Sequence, residues 1–150
     1  MRLVSGTLYK SSDERTDPVG GAFTLQDEYE ALVAMDDAGA SVPTPHGYDQ
    51  ERGEYGMEHI DGTDLQELAT DGLTAADRQQ IADRLEDELD RMHEAGLPHG
   101  DICTSNIVID EELRPYYLDP AGFEPDHPDA EAVMERDRQN LDYVTDVLTR

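Results

Sequence analysis

Three features of this 150-residue chain predict an α+β fold of two small lobes sharing a cleft. Strand-like segments cluster in the first 60 residues around a single helix pattern. Two long amphipathic helix patterns dominate residues 61–150. Between those helices stands a short hairpin pattern, preceded by a loop rich in polar groups. The first lobe is placed at 1–60 and the second, mainly helical, at 61–150.

Arg2–Tyr9 (RLVSGTLY) reads as a strand ending at Lys10, and Ser11–Gly21, with Pro18 and Gly20-Gly21, as a loop. Thr24 and Asp27 form a capping box, so a helix should run from Leu25 to Ala38. Tyr29, Leu32, Val33 and Met35 would be its apolar side, and Gly39 its stop. Val42–Gly47, with Pro43 and Pro45, should be extended. Tyr48–Gly56 suggests a hairpin around Gln50–Gly53, with Tyr55–Ile60 as its second strand. Asp61-Gly62 looks like a turn and Leu65–Leu68 like a short helix. Thr74 and Asp77 repeat the capping box and open the clearest helix, Ala75–Ala95. Ile81, Leu85, Leu89 and Met92 recur at spacings of 4, 4 and 3, one buried stripe, and Gly96 ends it. Ile107–Ile109 and Tyr116–Leu118 pair as strands about a turn at Asp110–Arg114. Beyond Pro120–Pro128, a last helix spans Asp129–Leu148, with Met134, Leu141, Val144 and Leu148 as its stripe.

Eleven basic against 36 acidic residues give a net charge of −25. Such a chain repels phosphate backbones and anionic bilayers, so direct nucleic-acid binding and membrane attachment are not expected. No apolar run nears the ~20 residues of a spanning helix, and no basic-plus-apolar N-terminus marks a secretory leader. The single cysteine, Cys103, excludes an internal disulfide. A cytoplasmic protein is expected. Self-repulsion at low salt is screened at molar salt, where the Debye length falls to ~3 Å. With Lys10 its only lysine and no Trp, the composition resembles that of salt-adapted proteins of halophilic archaea.

The most specific signal is His99-Gly100-Asp101-Ile102-Cys103-Thr104-Ser105-Asn106, followed past the hairpin by Asp119 in Tyr117-Leu118-Asp119-Pro120-Ala121-Gly122. Asp101, on a loop between helix and strand, can accept the proton of an incoming hydroxyl or water. Asn106 offers a neutral oxygen to a metal and Asp119 a charged one. Mg²⁺ takes such hard oxygens together with those of phosphate. A hairpin returns the chain to its start, so Asn106 and Asp119 should meet. Any one of these residues could be a turn former in so acidic a chain. All three at this spacing behind His-Gly point to phosphoryl transfer, which needs positioning and charge neutralisation more than covalent chemistry. His99 reads as a hydrogen-bonding brace for the loop and Cys103 as a small packed residue.

The order helix, His-Gly-Asp-x-x-x-x-Asn, hairpin, Asp resembles the protein-kinase-like superfamily. It is most similar to the RIO-type atypical kinases and the RIO-like kinase of the KEOPS tRNA-modification complex. Glu135–Leu141, with Arg136-Asp137, looks like the last helix of RIO proteins, where Asp137 would brace the catalytic loop. The resemblance runs from about Lys10 to the C-terminus. It implies a minimal bilobal kinase-like fold with a truncated N-lobe and a short helical C-lobe, using ATP and Mg²⁺. Asp101 would be the catalytic base, and Asn106 and Asp119 the metal ligands. Lys10 would hold phosphates, paired with Glu30 twenty residues on, Glu28 being the rival. Backbone groups of Glu58–Ile60 would meet adenine, and Val108 would floor the pocket.

Some features depart from that pattern. Nine residues precede Lys10, too few for the usual two strands with a glycine-rich phosphate loop. Thirty-one follow Asp119, short of a full activation segment and peptide-docking lobe. Pro120 stands after the metal-binding Asp. The resulting expectation is a minimal RIO-like kinase or ATPase acting on a protein hydroxyl or water, with a protein or ribonucleoprotein partner. A pseudokinase that docks such a partner and a small-molecule phosphotransferase are the alternatives.

Overall fold

A four-stranded and a three-stranded antiparallel sheet, with three α-helices, make up the structure, a computed structural model that describes residues 1–11, 23–68 and 72–150. The loop expected at Ser11–Gly21, including Gly20-Gly21, lies outside the described residues beyond Ser11. The first sheet contains β1 (Arg2–Val4), β2 (Thr7–Ser11), β3 (Pro45–Asp49) and β4 (Glu54–Glu58) in the order β1-β2-β4-β3. The expected single strand over Arg2–Tyr9 is in fact a hairpin. Ser5 (φ 51°) and Gly6 (φ 84°) both take positive φ, the two-residue turn whose twist matches paired strands.

Helix α1 (Leu25–Asp37) opens at the expected capping box: Asp27 N–H donates to Thr24 Oγ1 at 3.0 Å and Thr24 N–H to Asp27 Oδ2 at 2.9 Å. It packs on β3. Its buried face is Leu25, Glu28, Ala31, Leu32 and Met35, so the side expected from Tyr29 and Val33 is rotated. The chain then crosses to the second sheet, β5 (Gly62–Asp64), β6 (Ile107–Asp110) and β7 (Pro115–Tyr117) in the order β5-β6-β7. Gly62, expected in a turn, instead pairs with Asp110. A Cβ there would lie 2.4 Å from the Ile109 carbonyl oxygen, so only glycine allows this approach. The short helix expected at Leu65–Leu68 is a turn, with Glu67 and Leu68 N–H both donating to the Asp64 carbonyl.

Helix α2 (Ala75–Glu94) carries the expected capping box of Thr74 and Asp77. Ile81, Leu85, Leu89 and Met92 are completely buried against α3 (Ala130–Thr149) and β7. Each such side chain contributes roughly 1.5–3 kcal/mol through apolar burial. The Tyr117 hydroxyl donates to the Leu85 carbonyl at 2.7 Å and ties β7 to α2. Ser41, in the connection between α1 and β3, ties that segment to α2 and β7: its N–H donates to Glu88 and its hydroxyl to the Pro115 carbonyl, while its own carbonyl accepts Tyr117 N–H. Among the described residues, no helix is long and apolar enough to cross a membrane.

Candidate functional site

Antiparallel register aligns Leu8 with Met57 and Lys10 with Tyr55. Residues directly opposite share a sheet face, so these four side chains form one surface. Lys10 and Tyr55 are buried beneath α1. The Lys10 ammonium donates to Glu28 Oε1, and to Asp119 Oδ1 at 3.3 Å. Glu30, the expected partner, is exposed and accepts a hydrogen bond from Gln26. The reason is helical phase: Glu28 falls between Leu25 and Leu32 on the buried stripe, whereas Glu30 points away from it. Burial opposes the charge on Lys10, but Asp119 and Glu28 outweigh it and hold the ammonium pKa above its ordinary value.

Asp101, Asn106 and Asp119 come together through the second sheet. Asn106 closes a 3₁₀ turn (Thr104–Asn106) just before β6, and its carbonyl accepts Leu118 N–H at 2.8 Å, next to Asp119. The Asn106 amide nitrogen donates to both the carbonyl and the Oδ2 of Asp101, each at 3.0 Å. The amide oxygen is thereby the atom Asn106 keeps for a cation. Asp119 takes a left-handed backbone (φ 53°), which Asp tolerates.

His99 fastens both catalytic-looking segments. Its Nδ1 accepts Asp101 N–H at 3.1 Å and its Nε2 donates to the Leu118 carbonyl at 2.8 Å, which defines a neutral ring protonated at Nε2. The His99 carbonyl accepts Ala121 N–H. Asp137, only 1% exposed, reaches in from α3 and accepts the N–H groups of His99 and Gly100 at 2.7 and 2.9 Å. His93 completes its partners at 3.1 Å. Gly100 is confined to glycine twice over: its φ is +89°, and a Cβ would lie 2.7 Å from that of Ala121.

Beside Lys10, a cleft of about 310 Å³ spans the two sheets, lined by Leu8, Met57, Glu58, Ile60, Val108 and Leu118 among others. Glu58 anchors its rim, where its carboxylate accepts from Thr44 N–H and Oγ1. A larger hollow of about 490 Å³ lies between Asp27, Glu30, Gly122 and Glu124. Neither hollow is lined by Lys10, Asp101, Asn106 or Asp119 themselves; the smaller one is lined by their neighbours, Leu8 and Met57 on the sheet face of Lys10 and Leu118 next to Asp119. Contributors not singled out as site residues from sequence include Leu8, Met57 and Leu118, in the cleft wall, and Tyr55, whose hydroxyl donates to Glu28 Oε1 at 2.9 Å.

The fold and this arrangement define a protein-kinase-like domain. The structure of the Cydia pomonella granulovirus kinase PK-1 superposes with a TM-score of 0.56 at 20% identity, over 70% of this chain and 40% of that one. Residues 17–145 match the family model of the RIO domain, and the chain belongs to the RIO family. A probable bifunctional tRNA threonylcarbamoyladenosine biosynthesis protein of Methanosarcina barkeri is 32% identical over 79% of this chain and 19% of its own length. The KEOPS complex subunit Bud32 of Pyrococcus abyssi is 32% identical over 54% of this chain and 36% of its own. The chain thus spans about a fifth of the first relative and about a third of the second.

Proposed function

We propose that this chain binds ATP with Mg²⁺ in the cleft beside Lys10 and transfers the γ-phosphoryl group to a protein hydroxyl or to water. The observation that carries the reading is the single buried ammonium shared by Glu28 and Asp119. Leu8 and Met57, on the same sheet face as Lys10, line the cleft, and Leu118, the residue before Asp119, donates its N–H to the carbonyl of Asn106, whose amide holds Asp101. A salt bridge with no ligand to serve does not need that location.

Each group has a role in this reading. Leu8, Met57, Val108 and Leu118 would sandwich adenine, and the backbone at Glu58–Ile60 would pair with its edge. Lys10 would turn from Asp119 to the phosphates while Glu28 keeps it in place. Asp101, with Oδ2 held by Asn106, would accept the acceptor's proton as the new O–P bond forms and the bond to the β-phosphate oxygen breaks. The donor set suits Mg²⁺: one amide oxygen of Asn106 and one carboxylate of Asp119, with phosphate oxygens filling other positions. When bound, the ion would neutralise phosphate charge. The division at 60/61 fits the crossing from the first sheet at Glu58 to the second at Gly62.

Turnover of Mg-ATP in concentrated KCl tests the reading. Asp101→Ala should lower kcat by about 10²-fold or more with little change in KM; normal turnover would remove Asp101 from the chemistry. A second reading is supported by the Lys10–Asp119 pair, which engages the proposed metal carboxylate. The chain would then serve as a nucleotide-binding subunit that docks a protein partner, the role suggested by a relative named as a subunit of the KEOPS complex. That reading expects binding without turnover, and a partner complex that survives Asp119→Ala.

A further inference from the structure

We propose that Tyr55 is a positioning residue of this site, its hydroxyl fixing the Glu28 carboxylate and, through it, the Lys10 ammonium; the link to phosphate rests on the phosphotransfer reading above. Three observations carry this. The Tyr55 hydroxyl donates at 2.9 Å to Glu28 Oε1, the same oxygen that accepts Lys10. Tyr55 is also the direct cross-strand partner of Lys10, so β2 and β4 set both ends of the bridge. Its ring is 1% exposed and packs against Tyr29, centroids 5.3 Å apart, so it has no other place to turn.

The need for such a donor follows from the contacts of Lys10. In this structure the ammonium is shared between Glu28 and Asp119. When Lys10 turns toward an anionic ligand, Glu28 is left to anchor it alone. A glutamate side chain has three rotatable bonds, and a second donor on the same oxygen removes much of that freedom. Burial and the neighbouring carboxylates raise the Tyr55 pKa far above its ordinary value, so the phenol stays protonated and remains a donor.

Tyr55→Phe tests the proposal, since it deletes the hydroxyl and keeps the ring. Lys10 is the only lysine, so its side-chain NMR signals identify themselves. The expected result is a lower side-chain order parameter for Lys10 in the ligand-free protein. Affinity for Mg-ATP should fall about three- to tenfold, with affinity for adenosine unchanged. Unaltered Lys10 order, or equal losses for Mg-ATP and adenosine, would overturn the positioning role. The NMR measurement needs no nucleotide. If the wild-type chain binds neither ligand, the phosphotransfer reading fails, and Lys10 order still decides the role of Tyr55.

Discussion

Replacing Lys10 with methionine removes the cation from a cluster that also holds Glu28, Asp119 and the Tyr55 hydroxyl. Side-chain exposure is 7% for Lys10 and 4% for Glu28, so the carboxylate left behind is buried and uncompensated. Breaking a buried pair from one side costs about 3–5 kcal/mol. The Asp119 side chain is 31% exposed, so solvent screens that arm and it adds little. For a domain of this size, 1 kcal/mol corresponds to about 2–4 °C in Tm, which predicts a fall of ~6–20 °C. Thermal melting by circular dichroism at fixed KCl measures it. Lys10→Met with Glu28→Gln should recover much of the loss, because the neutral amide needs no counter-charge and still accepts from Tyr55. A single variant within ~1 kcal/mol of wild type, or a double variant as unstable as the single, would refute the argument.

Asp137→Ala leaves the His99 and Gly100 N–H groups without their acceptor. Each unsatisfied buried donor costs about 1–3 kcal/mol, so urea unfolding should shift by at least ~2 kcal/mol, with faster amide exchange at residues 99 and 100. Gly100→Ala forces a Cβ to 2.7 Å from that of Ala121 at positive φ and should cost ~1–3 kcal/mol, read as a lower urea midpoint. The folded pKa values of Lys10, Tyr55 and Tyr117 are all raised. Groups so shifted contribute stability that is complete below their unfolded values, about 10, and is lost as pH rises past them. Tm on account of these groups should therefore stay level from pH 7 to about 9.5 and fall above about 10, less steeply in Lys10→Met with Glu28→Gln.

What the sequence concealed follows one pattern. Both capping boxes and the apolar stripe of α2 were legible because their signals are local. From sequence, Glu28 is only the rival of Glu30, and the bracing role of Asp137 comes from the family resemblance, not from the helix pattern. Each stands where a buried helix stripe would place an apolar residue, Glu28 between Leu25 and Leu32 and Asp137 between Val133 and Leu141. Among 36 acids, such positions look like errors in an apolar pattern. Read as acids at stripe positions, they mark charges that the fold holds inside. The β1–β2 turn was missed although Ser5-Gly6 is a turn dipeptide, because the strand-like residues on both sides of it read as one continuous run. Strand β5 depends on pairing with β6 across more than forty residues, which no local pattern around Gly62 reveals. The convergence of Asp101, Asn106 and Asp119 was readable because a short hairpin joins their segments.

The central claim is a Mg-nucleotide site at Lys10, Asn106 and Asp119. Calorimetric titration of a non-hydrolysable ATP analogue in concentrated KCl, with and without Mg²⁺, tests it most directly. The account predicts binding that weakens about tenfold or more, some 1.4 kcal/mol, when Mg²⁺ is withheld or Asp119 is changed to Asn. No binding at millimolar analogue, or affinity indifferent to both changes, would contradict it.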